Sequence, residues 1–83
     1  MERHEIIEKL KEICDNTLGK IPSDIENDTF DSLGLDILDA VELSMEVEEH
    51  FGIAFTDEEW EEINSFKDII EFIITETNKK ANK

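Results

Sequence analysis

Asp36-Ile37-Leu38-Asp39-Ala40-Val41-Glu42-Leu43-Ser44-Met45-Glu46-Val47-Glu48-Glu49-His50-Phe51 decides how this chain is read. Its apolar residues recur three and four apart, so it predicts a helix over about residues 37–51. Asp36, with a second acid three residues on at Asp39, is an approximate N-terminal cap signal. On a helical wheel of 100° steps with Leu43 at zero, Ala40, Val47 and Phe51 fall at about 60°, 40° and 80°. They form one apolar face, which belongs to a core. Leu38, Val41 and Met45 fall at about 220°, 160° and 200°, where a bundle helix normally meets water. Glu48, Glu49 and Glu42 flank them at about 140°, 240° and 260°. An apolar stripe framed by carboxylates has the make-up of a protein-docking surface, with an apolar centre and a charged rim. Met45 suits such a surface, because methionine adapts to varied partners. The competing reading is that the preceding loop folds over the stripe, or that scattered surface apolars carry no meaning.

Upstream, Ile6, Ile7, Leu10, Ile13 and Leu18 recur at helical spacing, so residues about 3–17 form an amphipathic helix, with Gly19 suited to its end. Residues 19–36 are then a long connection, punctuated by Pro22, Asp24, Asn27, Asp28 and Gly34. Loops of that length are functional or well anchored, and Ile25, Phe30, Leu33 and Leu35 are the anchors on offer. Downstream, Thr56-Asp57-Glu58-Glu59 is a capping box for a short helix ending near Ile63. Ser65-Phe66-Lys67-Asp68 opens a last helix that carries Ile69, Ile70, Phe72 and Ile73 to about residue 77. Strand alternation of useful length is missing. The expected fold is all-α: a small four-helix bundle of three longer helices and one short one, with a long loop between helices one and two. Residues 1–77 make a single domain, and residues 78–83 a basic tail expected to fray.

The 83 residues hold Lys+Arg 8 against Asp+Glu 23, a net charge of −15. That charge is unevenly placed. Residues 1–20 contribute −1 and residues 67–83 contribute +1, while residues 21–66 hold six Asp and nine Glu with no Lys or Arg, and so account for the whole −15. A polyanion repels nucleic-acid phosphates and anionic lipid, so neither is an expected partner. An acidic surface also serves solubility alone; its concentration around the outward stripe favours docking of basic proteins. Disorder is excluded by numerous, periodic Ile, Leu, Val and Phe within an apolar share of 39%. No apolar run reaches the roughly 18–20 residues of a membrane span, and Met1-Glu2-Arg3-His4-Glu5 lacks the apolar segment of a secretory signal. With one cysteine, Cys14, no internal disulfide forms, and a cytoplasmic monomer is the expectation.

The run Phe30-Asp31-Ser32-Leu33-Gly34-Leu35-Asp36-Ile37-Leu38-Asp39-Ala40-Val41-Glu42-Leu43, continued by Met45 to Ile53, resembles the signature of acyl carrier proteins. The resemblance extends through Asp57-Glu58-Glu59 and Ile63 to Phe72-Ile73, and so covers most of the chain. It implies the same helix order, a role in fatty acid or polyketide-type biosynthesis, and no catalysis. It also implies 4′-phosphopantetheine carried on a serine hydroxyl at the head of helix two, with the short helix bordering an acyl-binding interior. That position is Ile37, flanked by Asp36 and Leu38. Isoleucine has no hydroxyl, so no phosphodiester forms there, and no cofactor is expected on this chain. Ser32, Ser44, Thr29 and Ser65 are other hydroxyls, none of which follows Asp36. The family's docking positions map onto Asp36, Leu38, Asp39, Val41, Glu42, Met45, Glu48 and Glu49, which include all three stripe residues. Expected partners are basic-surfaced acyl-transfer, condensing or phosphopantetheinyl transferase enzymes. Ile37 reads either as a deliberate Ser-to-Ile change or as a natural loss of the arm. The alternative to a carrier-type module is a non-carrier interaction or regulatory protein that reuses the fold.

Other motifs carry less. Asp24-x-Glu26-x-Asp28 fails as a calcium loop, because its sixth position is Thr29 and its twelfth Leu35. Cys14 reads as a filler near the core and His50 as a packed or half-exposed imidazole at its edge. His4 and His50 give no metal-ligand spacing. Trp60 and Ile63 read as the buried stripe of the short helix. Glu58-Glu59 and Glu61-Glu62 are adjacent helical residues that point apart, so they make no acid–base pair.

Overall fold

A computed structural model describes residues 2–81. Four α-helices follow one another: α1 Arg3–Leu18, α2 Ile37–Phe51, α3 Asp57–Glu61 and α4 Phe66–Ala81. The end of α1 and the starts of α2, α3 and α4 each have a local cause. Gly19 takes a left-handed conformation (φ 71°) and donates its N–H to Asp15 O at 3.1 Å, closing α1. Asp36 and Asp39 cap α2 reciprocally: the Asp39 N–H donates to Asp36 Oδ1 at 2.8 Å, and the Asp36 N–H to Asp39 Oδ2 at 3.3 Å. Thr56 and Glu59 form the same box on α3, at 3.1 and 2.9 Å. Ser65 Oγ accepts from the Asp68 N–H at 3.3 Å and starts α4.

The core is drawn from three helices, the long loop and Ile53 after α2. Ile6, Leu10, Ile13 and Cys14 come from α1, Leu43, Val47 and Phe51 from α2, and Phe66, Ile69, Ile70 and Ile73 from α4. α1 packs against both α2 and α4. The loop is pinned by Ile25, Phe30 and Leu35, all buried, with Leu33 half-buried beside them. The Phe30 ring meets Phe66 edge-on at 5.3 Å, a favoured aromatic geometry. Backbone bonds hold the same point: the Phe30 N–H donates to Asn64 O at 3.1 Å, and Thr29 bridges to Ser65. Earlier in the loop, Glu26 is bound by Arg3 through Nε, and the same side chain binds Glu71 through Nη1, both at 2.8 Å. The loop is thus fixed at Glu26 and at Thr29–Phe30, with Leu35 buried just before the head of α2.

The structure differs from the sequence expectation in three places. α3 stops at Glu61, so Ile63 lies outside it, and Trp60 and Ile63 are half-buried rather than a buried stripe. Trp60 is one wall of an aromatic group with Phe30 and Phe55, at 6.3 and 5.2 Å. α4 runs to Ala81, past the end of its apolar periodicity. Of the basic tail, residues 82 and 83 lie outside the described residues. No helix among the described residues is long and apolar enough to cross a membrane.

Candidate docking face and attachment position

The outward side of α2 is open. Leu38 is 72% exposed, Val41 41% and Met45 59%, and Ile37, at the head of the helix, is 81% exposed. The long loop packs against the core instead of covering them. Ile37, Leu38, Val41 and Met45 therefore form one apolar strip running down the helix, while Leu43 and Val47 are fully buried on the opposite side. Glu42 and Glu49 are exposed beside the strip. Asp36 is exposed and Asp39 half-buried, and both are engaged in the cap of α2.

Glu48 has a different role from the other rim acids. It is half-buried, and its Oε2 accepts the Phe55 N–H at 2.8 Å. Its carboxylate ties the end of α2 to the segment before α3. The wheel position that places Glu48 on the rim gives no sign of this bond, because the donor comes from a turn seven residues on. Glu46, outside the expected docking set, sits 3.5 Å from His50 Nε2. His50 is exposed, so it faces Glu46 and solvent and is not packed at the core edge as the sequence suggested.

A cleft of about 410 Å³ opens beside Ile37, floored by Phe30, Leu35, Ala40 and Ile63. It joins the loop, the head of α2 and the segment after α3, three pieces far apart in sequence, so no local motif announces it.

The hydroxyls near this site are already engaged. Ser32 Oγ donates to Thr29 O at 2.8 Å and accepts the Thr29 N–H at 2.9 Å, while Thr29 Oγ1 accepts the Ser32 N–H at 3.0 Å. Ser44 Oγ donates to Val41 O at 2.7 Å. Ser65 Oγ is the α4 cap. At the position that follows Asp36, the side chain of Ile37 offers only carbon, so the residues present do not fit a covalently attached phosphate.

Elsewhere the alternatives close. Asp24 and Asp28 are used within their own turn, with the Asp24 N–H donating to Asp28 Oδ2 at 3.1 Å and Asn27 Nδ2 to Asp24 Oδ2 at 3.0 Å, and Glu26 is held by Arg3. No group of His, Cys, Asp and Glu able to hold a metal occurs among the described residues. Cys14 is fully buried, and burial pushes its thiol up to about 11. It is a protonated core residue at neutral pH and not a nucleophile.

Comparison with known proteins agrees with the resemblance read from the motif. The family model for a phosphopantetheine attachment site matches residues 8–73. An acyl carrier protein of Coprothermobacter proteolyticus is 39% identical over 75 residues, covering 88% of this chain and 92% of that protein. The acyl carrier protein of Cyanidium caldarium is 38% identical over 82 residues, covering 96% and 95%. The crystal structure of an acyl carrier protein from Thermotoga maritima superposes with a TM-score of 0.84 at 35% identity, over 95% of this chain and 94% of that one.

Proposed function

The chain belongs to the acyl carrier protein family, and we propose that within it this protein is a docking module whose own attachment position is closed by Ile37. Members of this family are non-catalytic carriers of acyl groups on 4′-phosphopantetheine. The proposed module meets basic-surfaced acyl-transfer, condensing or phosphopantetheinyl transferase enzymes through α2. Asp36, Leu38, Asp39, Val41, Glu42, Met45, Glu48 and Glu49 form the face. Leu38, Val41 and Met45 supply buried area on contact, Glu42 and Glu49 supply steering, and Asp36, Asp39 and Glu48 hold the helix ends that keep the face in shape.

One observation carries this reading: three large apolar side chains lie open to solvent on a helix whose other face buries Leu43, Val47 and Phe51, within a segment, residues 21–66, that has no Lys or Arg. Such a surface repels a second copy of itself and attracts a cationic rim.

Charge reversal tests it. Glu42→Lys and Glu49→Lys are each expected to weaken binding to a phosphopantetheinyl transferase that accepts acyl carrier proteins, by roughly ten-fold at low salt, mostly through slower association. The difference shrinks as salt rises. Circular dichroism should be unchanged, because both side chains are exposed. Unaltered binding by both variants would dismiss the docking face.

A further inference from the structure

We infer that this chain is a dead-end ligand of the enzyme that transfers phosphopantetheine from coenzyme A, binding it as a carrier would and competing with carriers that can be modified. The inference rests on the docking reading above and adds the partner and the consequence.

The chain keeps the parts that precede transfer. The head of α2 is built with its reciprocal Asp36–Asp39 cap, and Ile37 occupies the first helical position, 81% exposed. The loop leading to that head is clamped by the Phe30–Phe66 contact and by Arg3. Glu42, Glu49 and the apolar strip remain in the open. What is lacking is only the acceptor oxygen at the head of α2, and no other hydroxyl follows Asp36 to replace it. Ile37 also brings the strip to four exposed apolar side chains, with Leu38, Val41 and Met45. A transferase that engages this face therefore gains contact area and reaches no product. Its release depends on dissociation alone, so occupancy follows concentration and affinity.

The test uses the intact chain, coenzyme A, a broad-specificity phosphopantetheinyl transferase and a serine-bearing acyl carrier protein as substrate. The expected result is competitive inhibition. The apparent KM of the carrier about doubles when this chain is present at its own dissociation constant, with kcat unchanged. The chain keeps its mass, and Glu42→Lys relieves the inhibition. Carrier modification at an unaltered rate under a large excess of this chain would overturn the inference, as would a gain in mass by the chain itself. Ile37→Ser separates the two levels. If that variant is modified while the parent does not inhibit, dead-end binding fails and the docking face stands. If the variant is not modified and the parent does not inhibit, the docking reading falls with it.

Discussion

Ile37→Ser is expected to turn an unmodifiable chain into a substrate. Incubated with coenzyme A and a broad phosphopantetheinyl transferase, the parent should keep its mass and the variant should gain one phosphopantetheinyl group. The effect is all-or-none, because the two differ in the presence of an oxygen and not in the degree of fit. Three features of the fold support the gain. Residue 37 is 81% exposed, so the new hydroxyl faces solvent. It follows the intact Asp36–Asp39 cap, so the helix head keeps its shape. It lies at a helix N-terminus, where free amides and the dipole favour a phosphate. The fold itself should be nearly indifferent, within about 0.5 kcal/mol, since an exposed isoleucine contributes no core packing. A serine variant that folds normally and still gains no mass would mean that the departure from the family reaches beyond residue 37.

Phe66→Ala is expected to have the largest effect on stability. The Phe66 ring is fully buried, meets Phe30 edge-on at 5.3 Å, and opens α4 beside the backbone bond from Phe30 to Asn64. Truncating a buried phenylalanine costs about 3–5 kcal/mol. A small domain has a total stability of roughly 5–10 kcal/mol, and here fifteen uncompensated negative charges lower it further. Urea unfolding followed by circular dichroism should show a midpoint displaced toward zero denaturant, or a chain already largely unfolded in buffer. The ring also anchors the long loop, so the head of α2 should loosen before the helices separate. A loss below about 1 kcal/mol would show that the core repacks around the gap, contrary to the close packing assigned to Phe66.

How far the sequence reached depends on the range of the forces involved. α2 was readable to the residue, because its start is fixed by a cap that spans three residues and its two faces by a simple period. The loop anchors Ile25, Phe30 and Leu35 were readable for a related reason, as large apolar residues in a polar stretch that gain by burial, although Ile21 in the same loop stays 55% exposed. The sequence pattern makes α3 too long. Its capping box marks the start, but after Glu61 the chain continues in tight turn bonds, such as Ile63 N–H to Trp60 O at 3.1 Å, and nothing in the local pattern separates these from a further helical turn. The same pattern makes α4 too short, because its last turn continues after the apolar rows that betray a helix have ended. The backbone bond of Glu48 and the cleft beside Ile37 were out of reach, since both join segments whose proximity only the folded chain creates. The open stripe of Leu38, Val41 and Met45 was half readable. Periodicity put those residues on the outer side of α2; whether the loop covered them depended on where Phe30 and Leu35 packed.

That open stripe is what the account depends on, and amide chemical shifts of the isotope-labelled chain address it residue by residue. On titration with a phosphopantetheinyl transferase, the largest changes should run from Asp36 to Glu49, strongest at Leu38, Val41 and Met45, with the solvent face of α1 undisturbed. Changes centred on α1 or α4, or none along α2, would contradict it.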